Sequence, residues 1–139
     1  MRALRLAASL LATALLSACT GAQPGAVASH AHGERLYRTS CAGCHGNDAR
    51  GNGPVAQFLT VAVPDLTRIA ARRGGQFPAD EIYRIVDGQA DLAAHGPRHM
   101  PVWGYEFFGD EPDDEAAHAE ASARIERLVN YLRSMQRGE

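Results

Sequence analysis

Lysine is missing from this chain. All fourteen basic residues are arginine, and against sixteen acids they leave a formal net charge of −2. No global positive field results, which excludes the usual electrostatic footprint of nucleic-acid binding. Aromatic residues are sparse, at 6% of the chain. No internal repeat, long coiled-coil run or low-complexity tract is present, and between Gly46 and Gly109 no stretch alternates convincingly as a strand. Cysteine occurs three times, at positions 19, 41 and 44. The 139 residues suit one domain.

The N-terminus reads as a targeting segment. Arg2 and Arg5 precede an apolar run from Ala7 to Leu16, then small residues follow. That is the layout of a secretory signal, and it is too short for a comfortable membrane span. Its end, LSAC (Leu16 to Cys19), resembles the lipobox of bacterial lipoproteins. The resemblance implies cleavage before Cys19 and a lipid on that cysteine, with the domain anchored to a bacterial membrane on the periplasmic side. Removing Arg2 and Arg5 leaves twelve basic residues against sixteen acids, a net charge of −4.

The expected organisation is a signal peptide over 1–18, a lipidated N-terminus and flexible tether over 19–31, and a globular domain over 32–139. Four segments of that domain read as helical. GERLYRTSC places Leu36 and Tyr37 for burial, and DLTRIAARRGG is a short apolar turn stopped by Gly74 and Gly75. PADEIYRIVDG starts at Pro78, carries Asp80 and Glu81 in its first turn and ends at Gly88. Acids there offset the positive helix N-terminus, and glycine accepts a left-handed cap. From about Glu115 to Arg137, a stripe of Ile125, Leu128, Val129, Leu132 and Met135 predicts a longer helix. The domain therefore reads as all-α with long loops. Roughly 105 residues arranged this way bury little apolar surface by themselves. The long loops make sense if they wrap a large apolar cofactor.

The stretch CAGCH (Cys41 to His45) tells which cofactor. Structural zinc needs about four ligands. No second cysteine pair exists, and the histidines at 30, 32, 95, 99 and 118 lack zinc-finger spacing. A thioredoxin-like disulfide needs a strand entering the motif and a helix leaving it, whereas here a helix enters and a Gly-rich loop leaves. Covalent haem fits: two thiols spaced by two residues each form a thioether, and the adjacent His45 faces the iron. For the sixth iron ligand the candidates are Met100, His99 and His95, or an open position. Met100 is favoured, fifty-five residues beyond His45 and followed by the stiffening Pro101.

Together these residues resemble class I c-type cytochromes, specifically small single-haem bacterial ones, over about Gly33 to Leu132. GERLYRTSCAGCHG is similar to their first helix and haem site, PDL (Pro64 to Leu66) to their proximal segment, MPVWG to their distal methionine loop, and IERLVNYLRSM to their last helix. The resemblance implies the cytochrome c fold, short helices and long loops around one haem c. It implies thioethers at Cys41 and Cys44, His45 as proximal ligand and Met100 as distal ligand. It also implies a bond from the His45 ring to the Pro64 carbonyl and a close helix crossing of Gly33 with Tyr131; for Trp103 a contact with a haem propionate and plain packing both stand. Arg50, Arg68 and Arg98 are further candidates to pair with propionates. The stretch from His45 to Pro64 is longer than in the shortest members, which implies an inserted loop at GNGPVAQFL.

The function expected is electron carriage, not enzymatic turnover, between redox partner proteins at a membrane surface. Two alternatives stand beside it: a haem c subunit of a larger respiratory or dehydrogenase complex, and a peroxidase-like or gas-binding protein with a labile distal ligand. YEFFGDEPDDE (Tyr105 to Glu115) is a candidate docking surface, with an exposed helix cap as the plainer reading.

Overall fold

A computed structural model describes residues 24–88, 90, 100–108 and 114–138. The signal segment, Cys19, His95, Arg98, His99 and the acidic run 109–113 lie outside the described residues. The helices in chain order are α1 (Pro24–Ser40), α2 (Ala42–His45), α3 (Ala79–Asp87), α4 (Trp103–Phe108) and α5 (Glu115–Ser134). Three single 3₁₀ turns lie between α2 and α3, at Ala56–Phe58, Leu66–Arg68 and Ala71–Arg73. No strand occurs among the described residues, so the all-α expectation holds. No helix among them is long and apolar enough to cross a membrane.

The long last helix forms for the reason its pattern gave. Ala121, Ile125, Leu128, Val129 and Leu132 are buried along one stripe. The Asp114 carboxylate caps its start by accepting the Ala116 N–H at 2.8 Å. α3 begins after Pro78 and stops at Gly88, which takes φ +90° in the left-handed region. It buries Ile82 and Val86 against α5.

α1 and α5 make the most extensive helix contact in the molecule. They cross at Gly33, where a Cβ would run into the Arg127 carbonyl oxygen and lie 2.9 Å from the Tyr131 Cβ. The Gly33–Tyr131 expectation is met. One turn further on, Tyr37 is fully buried beside Ile125 and Leu128. Its ring meets that of Tyr131 at 5.6 Å between centroids. Leu36, expected to be buried with it, is only half-buried.

The expected tether needs correction over 24–31, because α1 begins at Pro24. Proline is tolerated at a helix start, and Ala26, Ala28 and Ala31 are strong helix formers. This turn has no apolar stripe to betray it, and Val27 is exposed. It is tied to α5 through His30 instead, whose ring stands edge-on to Tyr131 at 5.2 Å and bonds Ser134 Oγ at 3.1 Å. A second difference is DLTRIAARRGG, which forms two 3₁₀ turns rather than one helix. Asp65 starts the first by accepting from both the Thr67 N–H and its hydroxyl. Gly74 closes the second at φ +67°. The third difference is α4, in a stretch read as a loop and a surface cap.

Candidate haem site

α1 delivers the chain into the site. The Cys41 N–H still bonds back to the Tyr37 carbonyl at 2.8 Å. One further turn, α2, then carries Cys44 and His45, whose N–H groups both return to the Cys41 carbonyl, at 3.2 and 2.9 Å. This coiling puts the two cysteines and the histidine within a single turn. The Tyr37 hydroxyl donates to the Gly46 carbonyl at 2.6 Å from inside the core, fixing where the motif ends.

The loop after the motif folds back on it. The Gly53 N–H bonds the Cys44 carbonyl at 3.1 Å, and the Val55 N–H bonds the Gly43 carbonyl at 2.9 Å. Gly53 rests on the motif backbone so closely that a Cβ there would lie 2.6 Å from the Ala42 carbonyl oxygen. Only glycine fits that approach. The return brings Leu59, Val61, Val63 and Pro64 opposite the motif, where they form an apolar wall.

A cavity of about 180 Å³ lies between these parts. Ser40, Cys41, Cys44 and His45 line one side, and Leu59, Val61, Val63 and Pro64 the second. Met100, Pro101 and Trp103 line the third. The sequence-predicted residues Cys41, Cys44, His45, Pro64, Met100 and Trp103 are thus brought together around one space. Trp103 opens α4 and packs on Phe107 at 5.7 Å between ring centroids. Arg50 and Arg68 are not brought there; they line a separate surface recess with Asp65, Thr67 and Arg137.

The chemistry of the donors separates the candidate cofactors. Cys41 is buried and its thiol pKa is pushed up to about 12, chiefly by burial, with the Cys44 charge adding to the effect. Such a thiol is protonated at neutral pH, the opposite of the activated thiolate a redox disulfide needs. Among the described residues no group of three His, Cys, Asp or Glu side chains is placed to hold a metal ion. The His45 Nδ1–H donates to the Pro64 carbonyl at 3.3 Å. That fixes the tautomer and leaves Nε2 with its lone pair for iron. Burial pulls the His45 pKa down, and the Pro64 bond pulls weakly the other way, so the ring stays neutral. Two thiols, a neutral imidazole and a thioether around an apolar space fit a covalently held haem.

Some residues that brace or line the cavity gave no sequence signal. Gln136 accepts the Ala70 N–H through Oε1 at 2.9 Å and donates through Nε2 to the Leu66 carbonyl at 2.9 Å and the Leu132 carbonyl at 2.7 Å. It ties the last helix to the segment that carries Pro64. Leu59, Val61 and Val63 were foreshadowed only as part of a loop too long to be idle.

A family profile described as cytochrome c oxidase, cbb3-type, subunit III matches residues 28–118, well over half of the chain. Comparison with curated proteins and with solved structures gives no significant match. The match spans the motif turn, the apolar wall, Met100 and α4. The chain belongs to the family of cbb3-type cytochrome c oxidase subunit III: it is a c-type cytochrome with covalently bound haem c, built for haem-based electron transfer.

Proposed function

We propose that the protein is a membrane-anchored electron carrier in which Cys41 and Cys44 hold the haem through thioethers and His45 and Met100 are the axial ligands. The observation that carries this reading is the single apolar cavity shared by those four side chains, with the His45 ring held by Pro64. The haem, when bound, supplies an iron that alternates between Fe(III) and Fe(II). Everything else is done by the chain. Cys41 and Cys44 fix the position of the group on one turn of helix. The Pro64 carbonyl orients His45 and raises its basicity as a ligand. Met100 supplies a thioether, which favours the reduced state and raises the potential. The wall of Leu59, Val61 and Val63 would shield the bound group from water, and Trp103 would offer it an indole N–H or pack on it. Two protein ligands leave no position for a substrate, which is why carriage is favoured over turnover.

Lipid on Cys19 would confine the domain to a bacterial membrane with the haem in the periplasm. A lipoprotein's several acyl chains hold firmly where one alone is marginal. Export also suits covalent attachment, which takes place outside the cytoplasm. Replacing Cys19 by Ser should shift the protein from the membrane to the soluble fraction.

The test is an absorption spectrum of the exported protein, oxidised and reduced, with and without carbon monoxide. Low-spin bands, a methionine–Fe(III) charge-transfer band lost in Met100→Ala, and indifference to carbon monoxide are expected. Ready carbon monoxide binding by the native protein would instead favour the gas-binding or peroxidase-like reading. The family match favours a second arrangement, in which the same carrier works as a fixed subunit of a respiratory oxidase complex. Co-purification of other oxidase subunits after mild detergent extraction distinguishes that from a free carrier.

A further inference from the structure

We infer that Gln136 is a positioning residue for His45, acting from the C-terminus through the backbone of residues 64–70. The inference rests on the reading of His45 as the proximal iron ligand and extends it to a residue outside the haem motif and the matched segment 28–118.

The argument starts from Pro64. Its carbonyl holds the His45 ring, yet proline has no N–H with which to anchor its own backbone. Its backbone packs against Gly51 on one side, and its hydrogen-bonded anchorage comes from the residues that follow. Those residues form single 3₁₀ turns, too short to hold themselves. Leu66 is held from both sides. Its N–H donates to the Ala49 carbonyl at 2.8 Å, and its own carbonyl accepts from Gln136 Nε2 at 2.9 Å. The same amide accepts the Ala70 N–H at 2.9 Å through its oxygen, so one side chain clasps both ends of the turn. Its second donor bond, to the Leu132 carbonyl at 2.7 Å, ties that clasp to the buried part of α5. The next residue repeats the attachment through backbone alone: the Arg137 N–H donates to the Thr67 carbonyl at 2.9 Å.

Gln136, two residues past the end of α5, is thus the side chain that ties that helix to the turn two residues beyond the Pro64 carbonyl. Loosening it lets that carbonyl drift from Nδ1, and the ring then becomes a poorer donor to Fe(III). The potential should rise, because a more basic histidine favours the oxidised iron.

The experiment uses the full haem-loaded chain and two readouts: the midpoint potential, and the exchange rate of the His45 ring Nδ1–H with solvent by NMR in the reduced state. Gln136→Ala removes all three bonds. Gln136→Glu keeps an acceptor for the Ala70 N–H and loses the donors to Leu66 and Leu132. Both should speed ring exchange about fivefold, the change that corresponds to a hydrogen bond worth roughly 1 kcal/mol, and both should raise the potential. Met135→Ala is the control, since Met135 packs on the core without touching residues 64–70 through a side-chain hydrogen bond. It should lower stability and leave ring exchange and potential alone. Native values of both readouts in the Gln136 variants, or equal shifts in Met135→Ala, would overturn the inference. A low-spin spectrum that survives His45→Ala would instead overturn the ligand assignment beneath it, so the two failures are distinguishable.

Discussion

The crossing of α1 over α5 offers a test in which two effects of known size oppose each other. Gly33→Ala improves the helix: alanine is favoured over glycine in a helix interior by about 1 kcal/mol. Against that stands the contact. The new Cβ would overlap the Arg127 carbonyl oxygen and lie 2.9 Å from the Tyr131 Cβ and 3.0 Å from the Arg127 carbonyl carbon. Unstrained carbon contacts need roughly 3.5–4.0 Å. The obstructing atoms are backbone in the interior of a twenty-residue helix and the first carbon of a buried tyrosine, so neither can swing aside. α1 must therefore translate by on the order of 1 Å, and overpacking of this kind costs about 1–3 kcal/mol. With backbone on both sides the upper end applies, and the net effect is a loss of about 2 kcal/mol. For a domain of this size that lowers Tm by roughly 8–16 °C. Differential scanning of the haem-loaded protein reads it directly. Gly33 does not line the haem cavity, so the absorption spectrum at 20 °C or so should be native. An unchanged or raised Tm would mean that helix propensity wins and that the helices do not approach as described.

Three further outcomes follow from the core and the proximal segment. Tyr37→Phe should cost about 1 kcal/mol in guanidinium unfolding, and no more, because the Gly46 carbonyl it abandons keeps the Ala49 N–H at 3.1 Å. Ala49→Val should cost about 3 kcal/mol, since Ala49 is fully buried at φ +61° and a β-branched side chain resists the left-handed region; retention of native stability there would refute that backbone geometry. The Asp65 carboxyl is held below the usual carboxylate range, first by the Thr67 hydroxyl bond. Its folded pKa is depressed, so its stabilising contribution is present above the unfolded value near 3.9 and is lost as pH falls through the folded value. Urea midpoints should therefore fall less steeply with acid in Asp65→Asn than in the native protein, and parallel curves would show that Asp65 plays no part.

What could be read from the residues alone depended on whether the signal was local. The α5 stripe and the Gly88 stop are periodic or point features, and both elements formed within a few residues of their expected places. CAGCH and HMPVWG are contiguous motifs, so five of the candidate residues that line the cavity, Cys41, Cys44, His45, Met100 and Trp103, were legible without a fold. α4 was not, because six residues with glycine in the second position carry too little pattern to mark a helix. The first turn of α1 was not, because it is built from alanine propensity and a histidine contact rather than an apolar stripe. Gln136 was the least legible of all. Its bonds reach 66 and 70 residues back along the chain and end on backbone atoms, which any residue type provides.

That last case bears on how the site works. On the proposed reading the protein carries electrons and needs its ligands in nearly the same place in both oxidation states, so His45 as the proximal ligand would have to be held stiffly. A regular helix or strand would satisfy its own backbone and supply that stiffness locally. Residues 64–73 form only two short 3₁₀ turns, so several polar backbone groups there take side chains or distant backbone as partners. The Asp65 side chain, the Ala49 carbonyl, the Gln136 amide and the Arg137 N–H provide those partners. Arg72 adds a bond to the Asp65 carbonyl at 2.8 Å. The motif fixes where His45 is attached; on the inference drawn above, its orientation depends on this braced, irregular segment and on Gln136. A graft of CAGCH and its flanking helix onto another scaffold would carry the thioether chemistry and leave the ring free to turn. Its potential should then vary with solvent and temperature more than that of the native protein, and should approach the native behaviour only when the 64–73 segment and its Gln136 clasp are transferred with it.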